Sequence, residues 1–319
     1  MLVPARYVTI WLGSPLPYTA ILSIGSMLQA HPGAVVELHV LPGFEEPAHL
    51  RTLRRHRRFR TVEIDLDRLL APPVRAVFDS LPPHAHAARA NILRVAVLHE
   101  RGGIYVDLDT FVLAPLTALA SGPFAGLERV WMHDRERVER GLRLRHWPGT
   151  AAWGVAWACK RFDSTALHGA ARTATWLRPV ERWWTREQLN NAVIGAPAGS
   201  ELTAAMLERI ATCDPTARYA LGPHLINDTV ATMTDRVTVL GADTLYSVPP
   251  AESHRFFHDR TLKLPVAAVL VHYVNSNHPK LLASVSPGDA RFARPELFWR
   301  LAGAAERGLH DTDDRALTA

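Results

Sequence analysis

Gly102-Gly103-Ile104-Tyr105-Val106-Asp107-Leu108-Asp109 sets a glycine pair directly ahead of a segment in which apolar and polar residues alternate. A strand repeats every two residues, so Ile104, Val106 and Leu108 are expected on one face and Tyr105, Asp107 and Asp109 on the other. Packing the aliphatic face into a core sends a phenol and two carboxylates to the opposite side. Same-face neighbours lie roughly 7 Å apart, which leaves room for a divalent cation and a bound diphosphate. Left alone, the two carboxylates raise each other's pKa, and a cation reverses that.

The segment just before it has helical spacing. From Ala87 to His99, residues Ile92, Val95 and Ala96, with Leu93, Val97 and Leu98 beside them, make a broad apolar surface. Gly102-Gly103 then stops the helix, because glycine tolerates a left-handed C-terminal cap. Asn91 and Arg94 stand three apart and share a helix face. Brought back beside the acidic strand, Arg94 either holds a phosphate or braces the strand; pairing with Glu100 or solvation is the plain alternative. Spacing alone is not enough, because Ile64-Asp65-Leu66-Asp67 repeats the acidic triplet. There Asp67 precedes Arg68-Leu69-Leu70 and reads as a helix N-cap, with no glycine pair and no tyrosine ahead of it.

Farther out, Tyr7-Val8-Thr9-Ile10-Trp11-Leu12 reads as a strand stopped by Gly13. A helix over Thr19 to Ala30 ends at His31-Pro32-Gly33, and Ala34 to Leu41 reads as a second buried strand. Strand, helix, strand opens a doubly wound α/β sheet. With no repeat or long linker, one domain over 1–303 is expected, followed by a polar tail over 304–319. The 319 residues are 48% hydrophobic and 21% charged, which excludes a disordered chain. No apolar run approaches the roughly 18 residues of a membrane span. Two cysteines, Cys159 and Cys213, exclude a disulfide framework. No signal-type leader is evident, so a cytoplasmic setting is expected. Only three of the 36 basic residues are lysines, an arginine bias more in keeping with a GC-rich genome than with nucleic-acid binding.

Ala90-Asn91-Ile92-Leu93-Arg94 followed by Gly102-Gly103-Ile104-Tyr105-Val106-Asp107-Leu108-Asp109 resembles the signature of the DXD-containing sugar transferases. Yeast initiating mannosyltransferases, bacterial capsule-type transferases and the catalytic domains of clostridial glucosylating toxins are relatives in that group. The resemblance implies a GT-A fold: α/β, with a Rossmann-like central mixed sheet flanked by helices. It implies a nucleotide-sugar donor, UDP-sugar favoured over GDP-sugar, bound through Mn2+ or Mg2+. Ile10-Trp11-Leu12-Gly13 resembles the loop that packs on the nucleotide base, where the Trp11 ring either stacks on uracil or is a core residue. Asn191, within Gln188 to Pro197, matches the family's Asn-Ala segment near the donor sugar. Gly222-Pro223 resembles a second turn, and Tyr246-Ser247-Val248-Pro249 a late corner. Val269-Leu270-Val271-His272-Tyr273 ends in His272, either a third metal ligand or a hydrogen-bonded structural histidine. Two departures stand out. Asn91 replaces the family's Asp, which contacts donor hydroxyls, and Asn275-Ser276-Asn277-His278 replaces its Ser-Trp, leaving Asn275 and Asn277 as substitute donors.

The resemblance therefore implies Asp107, Asp109, Arg94 and Asn191 as catalytic residues. Trp11, Leu12, Asn91, Arg94, Tyr105, Asp107, Asn275 and Asn277 are the expected donor contacts, and Asp107, Asp109 and His272 the metal ligands. Transfer is expected with retention, with Glu187 the nearest candidate for a sugar-face carboxylate. The acceptor is an unidentified hydroxyl, a saccharide or small metabolite being favoured. A metal-dependent phosphoesterase and a basic nucleic-acid-binding module are the rivals. Arg51-Thr52-Leu53-Arg54-Arg55-His56-Arg57-Arg58-Phe59-Arg60 carries six arginines in ten positions. It reads as the solvated face of a helix, or as a patch for an anionic surface. No stable nucleic-acid partner is expected.

Overall fold

A computed structural model describes residues 2–119, 121–131, 185–217, 219–233 and 236–310, together with 151, 154–155, 157–159 and 161–162. Three parallel strands open it: β1 (Arg6–Trp11), β2 (Val35–Val40) and β3 (Phe59–Glu63). β4 (Gly103–Val106) pairs parallel to the other side of β1. Beyond it lie β6 (Phe124–Trp131), β7 (Thr185–Ala196) and β8 (Thr238–Leu240), giving a seven-stranded mixed sheet in the order β3-β2-β1-β4-β7-β6-β8. β7 runs antiparallel to both β4 and β6. A separate two-stranded sheet joins β5 (Thr110–Val112) to β9 (Leu270–His272).

The α/β class and the opening strand, helix and strand are as the sequence leads one to expect. Because β1 pairs with β2 on one side and β4 on the other, strand order reverses at β1. In parallel sheets that reversal opens a crevice at the carboxyl ends of the strands. Trp11 and Asp107 stand at those ends.

Each sheet face carries its own apolar layer. Ile104 and Val106 pack with the Tyr18–Ala30 and Leu297–His310 helices, where Phe257, Phe298 and Trp299 cluster with ring centroids 4.6–6.2 Å apart. Burying Phe298 fully contributes about 2 kcal/mol. Val8, Ile10 and Tyr105 pack on the other face against the His86–Arg101 helix and the Glu201–Thr212 and Pro223–Val230 helices.

The glycine pair joins the two layers. Gly102 has φ +64° and a Cβ there would lie 2.5 Å from Ala198 N; Gly103 has φ +130° and a Cβ would lie 2.8 Å from Arg6 O. Left-handed backbone and close approach both demand glycine, so the chain turns from helix into β4 at this one place.

Several expectations need correction. The polar tail expected from residue 304 is helical as far as His310, with Ala305 and Leu309 buried; residues 311–319 lie outside those described. The arginine-rich stretch is not one helical face. Its helix spans only Leu50–Leu53, after which the chain turns into β3. Arg51, Arg54, Arg55, Arg57 and Arg60 are exposed, while Arg58 donates to Leu28 O and His31 O. In the other acidic triplet the N-cap is Asp65, not Asp67: its carboxylate accepts from Asp67 N at 3.1 Å and Arg68 N at 3.2 Å. No helix among the described residues is long and apolar enough to cross a membrane.

Candidate active site

The strand that carries Asp107 ends sooner than its alternation suggests. β4 closes at Val106, and Asp107, Leu108 and Asp109 form a turn leading into β5. Asp107 N still donates to Ala192 O at 2.8 Å, but Thr110 Oγ1 donates back to Asp107 O at 2.8 Å and the chain moves into the second sheet. The single same-face row expected for Tyr105, Asp107 and Asp109 is thus replaced by a corner between two sheets. Tyr105 is itself buried, in the apolar layer opposite Ile104 and Val106.

Asp107 meets Arg94. The guanidinium, only 5% exposed, donates through Nη2 to Asp107 Oδ1 at 3.1 Å and through Nη1 to Asn191 O, and lies over the Tyr105 ring, 4.2 Å from its centroid. Tyr105 OH donates to the same Oδ1 at 2.5 Å. Burial pushes the Asp107 carboxyl above the usual range, and Arg94 offsets only part of that. Of the roles open to Arg94, the geometry selects the brace: its Nη groups tie Asp107 to β7. Asn191 donates through Nδ2 to Asn91 Oδ1 at 3.0 Å, so an expected catalytic residue and an expected donor contact form a pair. Each keeps a further amide group for hydrogen bonding.

Asp109 meets His272, since β9 pairs with β5 in a register that sets His272 opposite Thr110. His272 Nε2 lies 3.3 Å from Asp109 Oδ1, and Asn275 N donates to Asp109 Oδ2 at 2.9 Å. Burial alone would raise Asp109, but the His272 charge and hydrogen bond and the Asn275 N–H outweigh it and hold the carboxyl low. Burial would lower His272, yet Asp109, Glu128 and Asp107 together lift it to about 9. The loop after β9 is strained: Val274 has φ +53°, unusual for a β-branched residue, and leads into the turn presenting Asn275 N.

Sequence reasoning missed Glu128. On β6 its carboxylate is 5% exposed; Oε2 accepts from Asn190 Nδ2 at 2.7 Å and Oε1 stands 3.9 Å from His272 Nδ1. Burial raises its pKa, with the His272 charge and the Asn190 bond as partial offsets. Along β6 the alternation is unbroken, with Phe124 and Gly126 toward the first apolar layer and Ala125 and Leu127 toward the second; the signal for Glu128 is the approach of Asn190 and His272 from other strands, which local spacing does not show.

Other expected residues lie farther from this centre or are otherwise engaged. Trp11 is partly buried, and a Cβ on Gly13 would come within 3.2 Å of its ring; Leu12 packs on the second apolar layer. Asn277 Nδ2 donates to Pro250 O and Ser253 Oγ, so that amide secures a neighbouring turn. Glu187 sits 3.5 Å from Arg129, five residues along β7 from Ala192, roughly 16 Å at strand rise. It is not a sugar-face carboxylate of this centre. His84 is exposed, and His86 opens a helix rather than lying in a loop.

Three carboxylates (Asp107, Asp109, Glu128) thus face two cationic groups, Arg94 and His272, and the shortfall of positive charge favours a cation. Cis ligands of an octahedral ion at about 2.1 Å stand about 3.0 Å apart, so Asp109 Oδ1 and His272 Nε2 at 3.3 Å suit one hard divalent ion. Among the described residues no three His, Cys, Asp or Glu side chains gather round a single point. Asp107, the remaining expected ligand, accepts from Arg94 and Tyr105 through Oδ1.

Residues 44–125 match the family described as glycosyltransferase sugar-binding region containing DXD motif. The match takes in Arg94, Asp107 and Asp109, the same stretch that carries the resemblance read from the sequence. It ends before Glu128, Asn191 and His272. Similar solved structures include the PaToxG glycosyltransferase, 13% identical with TM-score 0.47 over 73% of this chain and 71% of that one. The apo WbbM bifunctional glycosyltransferase is 13% identical with TM-score 0.48, over 98% of this chain but 50% of that one. GlyE of Streptococcus pneumoniae TIGR4 is 11% identical with TM-score 0.47, over 96% and 63%. No curated protein matches by sequence.

Proposed function

We propose that this chain, a glycosyltransferase by its DXD-type sugar-binding region, moves a sugar from a nucleoside diphosphosugar, UDP-sugar favoured, to a hydroxyl acceptor with retention of configuration. One observation carries the reading: Asp109 and His272 stand at ligand spacing beside the braced Arg94–Asp107 pair, where the strand order of the sheet reverses. Asp109 and His272 would hold Mn2+ or Mg2+, and such an ion supplies Lewis-acid stabilisation of the charge developing on departing diphosphate. Asp107, kept in place by Arg94 and Tyr105, is set to accept from a ribose hydroxyl or from water. The Asn91–Asn191 pair offers its remaining amide groups to the donor sugar. Trp11, at the end of β1, is the ring that would stack on the base.

Retention by front-face attack is the part of this reading supported by the lack of a placed carboxylate base or nucleophile among the described residues. With Glu187 far along β7, no second carboxylate among the described residues is placed as a glycosidase-type nucleophile; Glu128 lies buried behind His272. Attack from the leaving-group face, with the departing phosphate oxygen taking the acceptor proton, suits that arrangement.

A thermal-shift panel tests the proposal, because a ligand that binds the native state raises Tm by mass action. UDP-sugars are expected to raise Tm in the presence of Mn2+ and to do so less without it. Absence of a shift with every UDP- and GDP-sugar, with or without divalent ion, defeats the reading. Phosphate release from simple phosphodiesters instead would favour a phosphoesterase.

A further inference from the structure

Glu128 is a buried carboxylate that the donor-binding reading leaves without a task. Its orientation is fixed from behind: Oε2 accepts from Asn190 Nδ2 at 2.7 Å, and Asn190 Oδ1 is fixed in turn by Ala192 N at 2.7 Å. That chain of bonds anchors the carboxylate to β7 and leaves Oε1 directed at His272 Nδ1, 3.9 Å away. Nδ1 is buried and has no hydrogen-bond partner among the described residues. A buried ring nitrogen in that state is costly, and a ring tilt of about 1 Å brings it to hydrogen-bond distance of Oε1. Tyr246 stands edge-on to the imidazole at 5.8 Å between centroids and limits its rotation.

We propose that Glu128 is the positioning residue for His272: held by Asn190, it accepts a hydrogen bond from Nδ1–H and thereby keeps the Nε2 lone pair aimed past Asp109 at a divalent cation. A histidine that binds a cation through one nitrogen needs its proton on the other, and a carboxylate there fixes both tautomer and ring angle. The inference rests on Asp109 and His272 being cation ligands.

Mn2+ binding to the full chain, measured by titration calorimetry, tests it on four proteins: unaltered, Glu128→Gln, His272→Ala and the double variant. Gln keeps the volume and can still accept from Asn190, so the fold is preserved while the charge is removed. Glu128→Gln is expected to weaken Mn2+ binding about tenfold or more. The double variant should bind no more weakly than His272→Ala, because Glu128 acts only through that ring. Should Glu128→Gln not fold, Asn190→Ala, which frees Oε2, takes its place with a smaller expected loss. Binding within about twofold of the unaltered chain, or losses that multiply in the double variant, overturns the assignment of Glu128 alone. An unaltered chain that ignores Mn2+ overturns the cation reading itself and this inference with it.

Discussion

Two Asp-Leu-Asp triplets lie 42 positions apart, and they come to opposite ends. Asp65 caps a four-residue helix, while Asp67, its side chain 91% exposed, pairs with Arg75. Asp107 and Asp109 sit instead at the corner between two sheets, one against a buried arginine and the other against a histidine only 10% exposed. The residues are the same; what differs is whether the chain just before them is obliged to bury itself. Gly102 and Gly103 permit a turn that buries β4 on both faces, so the carboxylates that follow are drawn in with it. The first triplet follows an edge strand and meets water. Burial makes a carboxylate chemically distinctive, because only there are its partners held and its charge unscreened.

The contrast predicts a large asymmetry in turnover. Asp109→Ala should lower Mn2+-dependent donor hydrolysis about 1,000-fold, as expected for losing a group that stabilises transition-state charge, whereas Asp67→Ala should change it less than twofold. Full metal-dependent turnover in Asp109→Ala would falsify the distinction.

The basic partners should differ in the same sense. Arg94→Met leaves the largely covered Asp107 carboxylate, its side chain 27% exposed, without its cation and should lower unfolding free energy by about 2 kcal/mol in urea titration. Arg68, beside the first triplet, is 77% exposed and pairs with Glu100, so Arg68→Met should cost under about 0.5 kcal/mol. Equal losses would mean that the Arg94 brace is no stronger than a surface pair.

Asp65→Ala removes a helix cap and should cost about 1 kcal/mol with turnover unchanged. A fall in turnover would place that triplet in the chemistry after all.

A last contrast is in pH dependence, at His278 in the turn that follows β9. Burial, with His254, His258 and Arg161 nearby, depresses His278 to about 4 from 6.5. The unfolded chain therefore takes up its proton first as pH falls. The associated stability is full above pH 6.5 and is lost progressively as pH falls through 6.5 towards 4. His278→Gln should flatten Tm against pH across that window, and an unchanged slope would rule His278 out as the source.

Much of this was legible beforehand. The glycine pair, the helix before it and the opening strand-helix-strand follow from local spacing, and spacing survives folding; the grouping of Asn91, Arg94, Asp107 and Asp109 was implied by the family resemblance. Less legible was anything that depended on where an element stops. Alternation carried β4 through Asp109, but Thr110 takes the chain into another sheet. Glu128 was hidden for another reason: nothing local announces that His272, 144 residues on, will stand against it. The arginine-rich segment and residues 304–310 depart from expectation for a related reason, since composition does not reveal which face a neighbouring element will cover.

The sequence by itself settled the α/β class, the glycine-driven turn and the identity of the acidic pair, because backbone conformation and side-chain period are local properties. Tertiary structure alone decided that Arg94 grips Asp107, that His272 stands against Asp109 from 163 residues away, and that Glu128 lies behind that ring. Those are matters of register between strands remote in the chain, and only the packed sheet sets register.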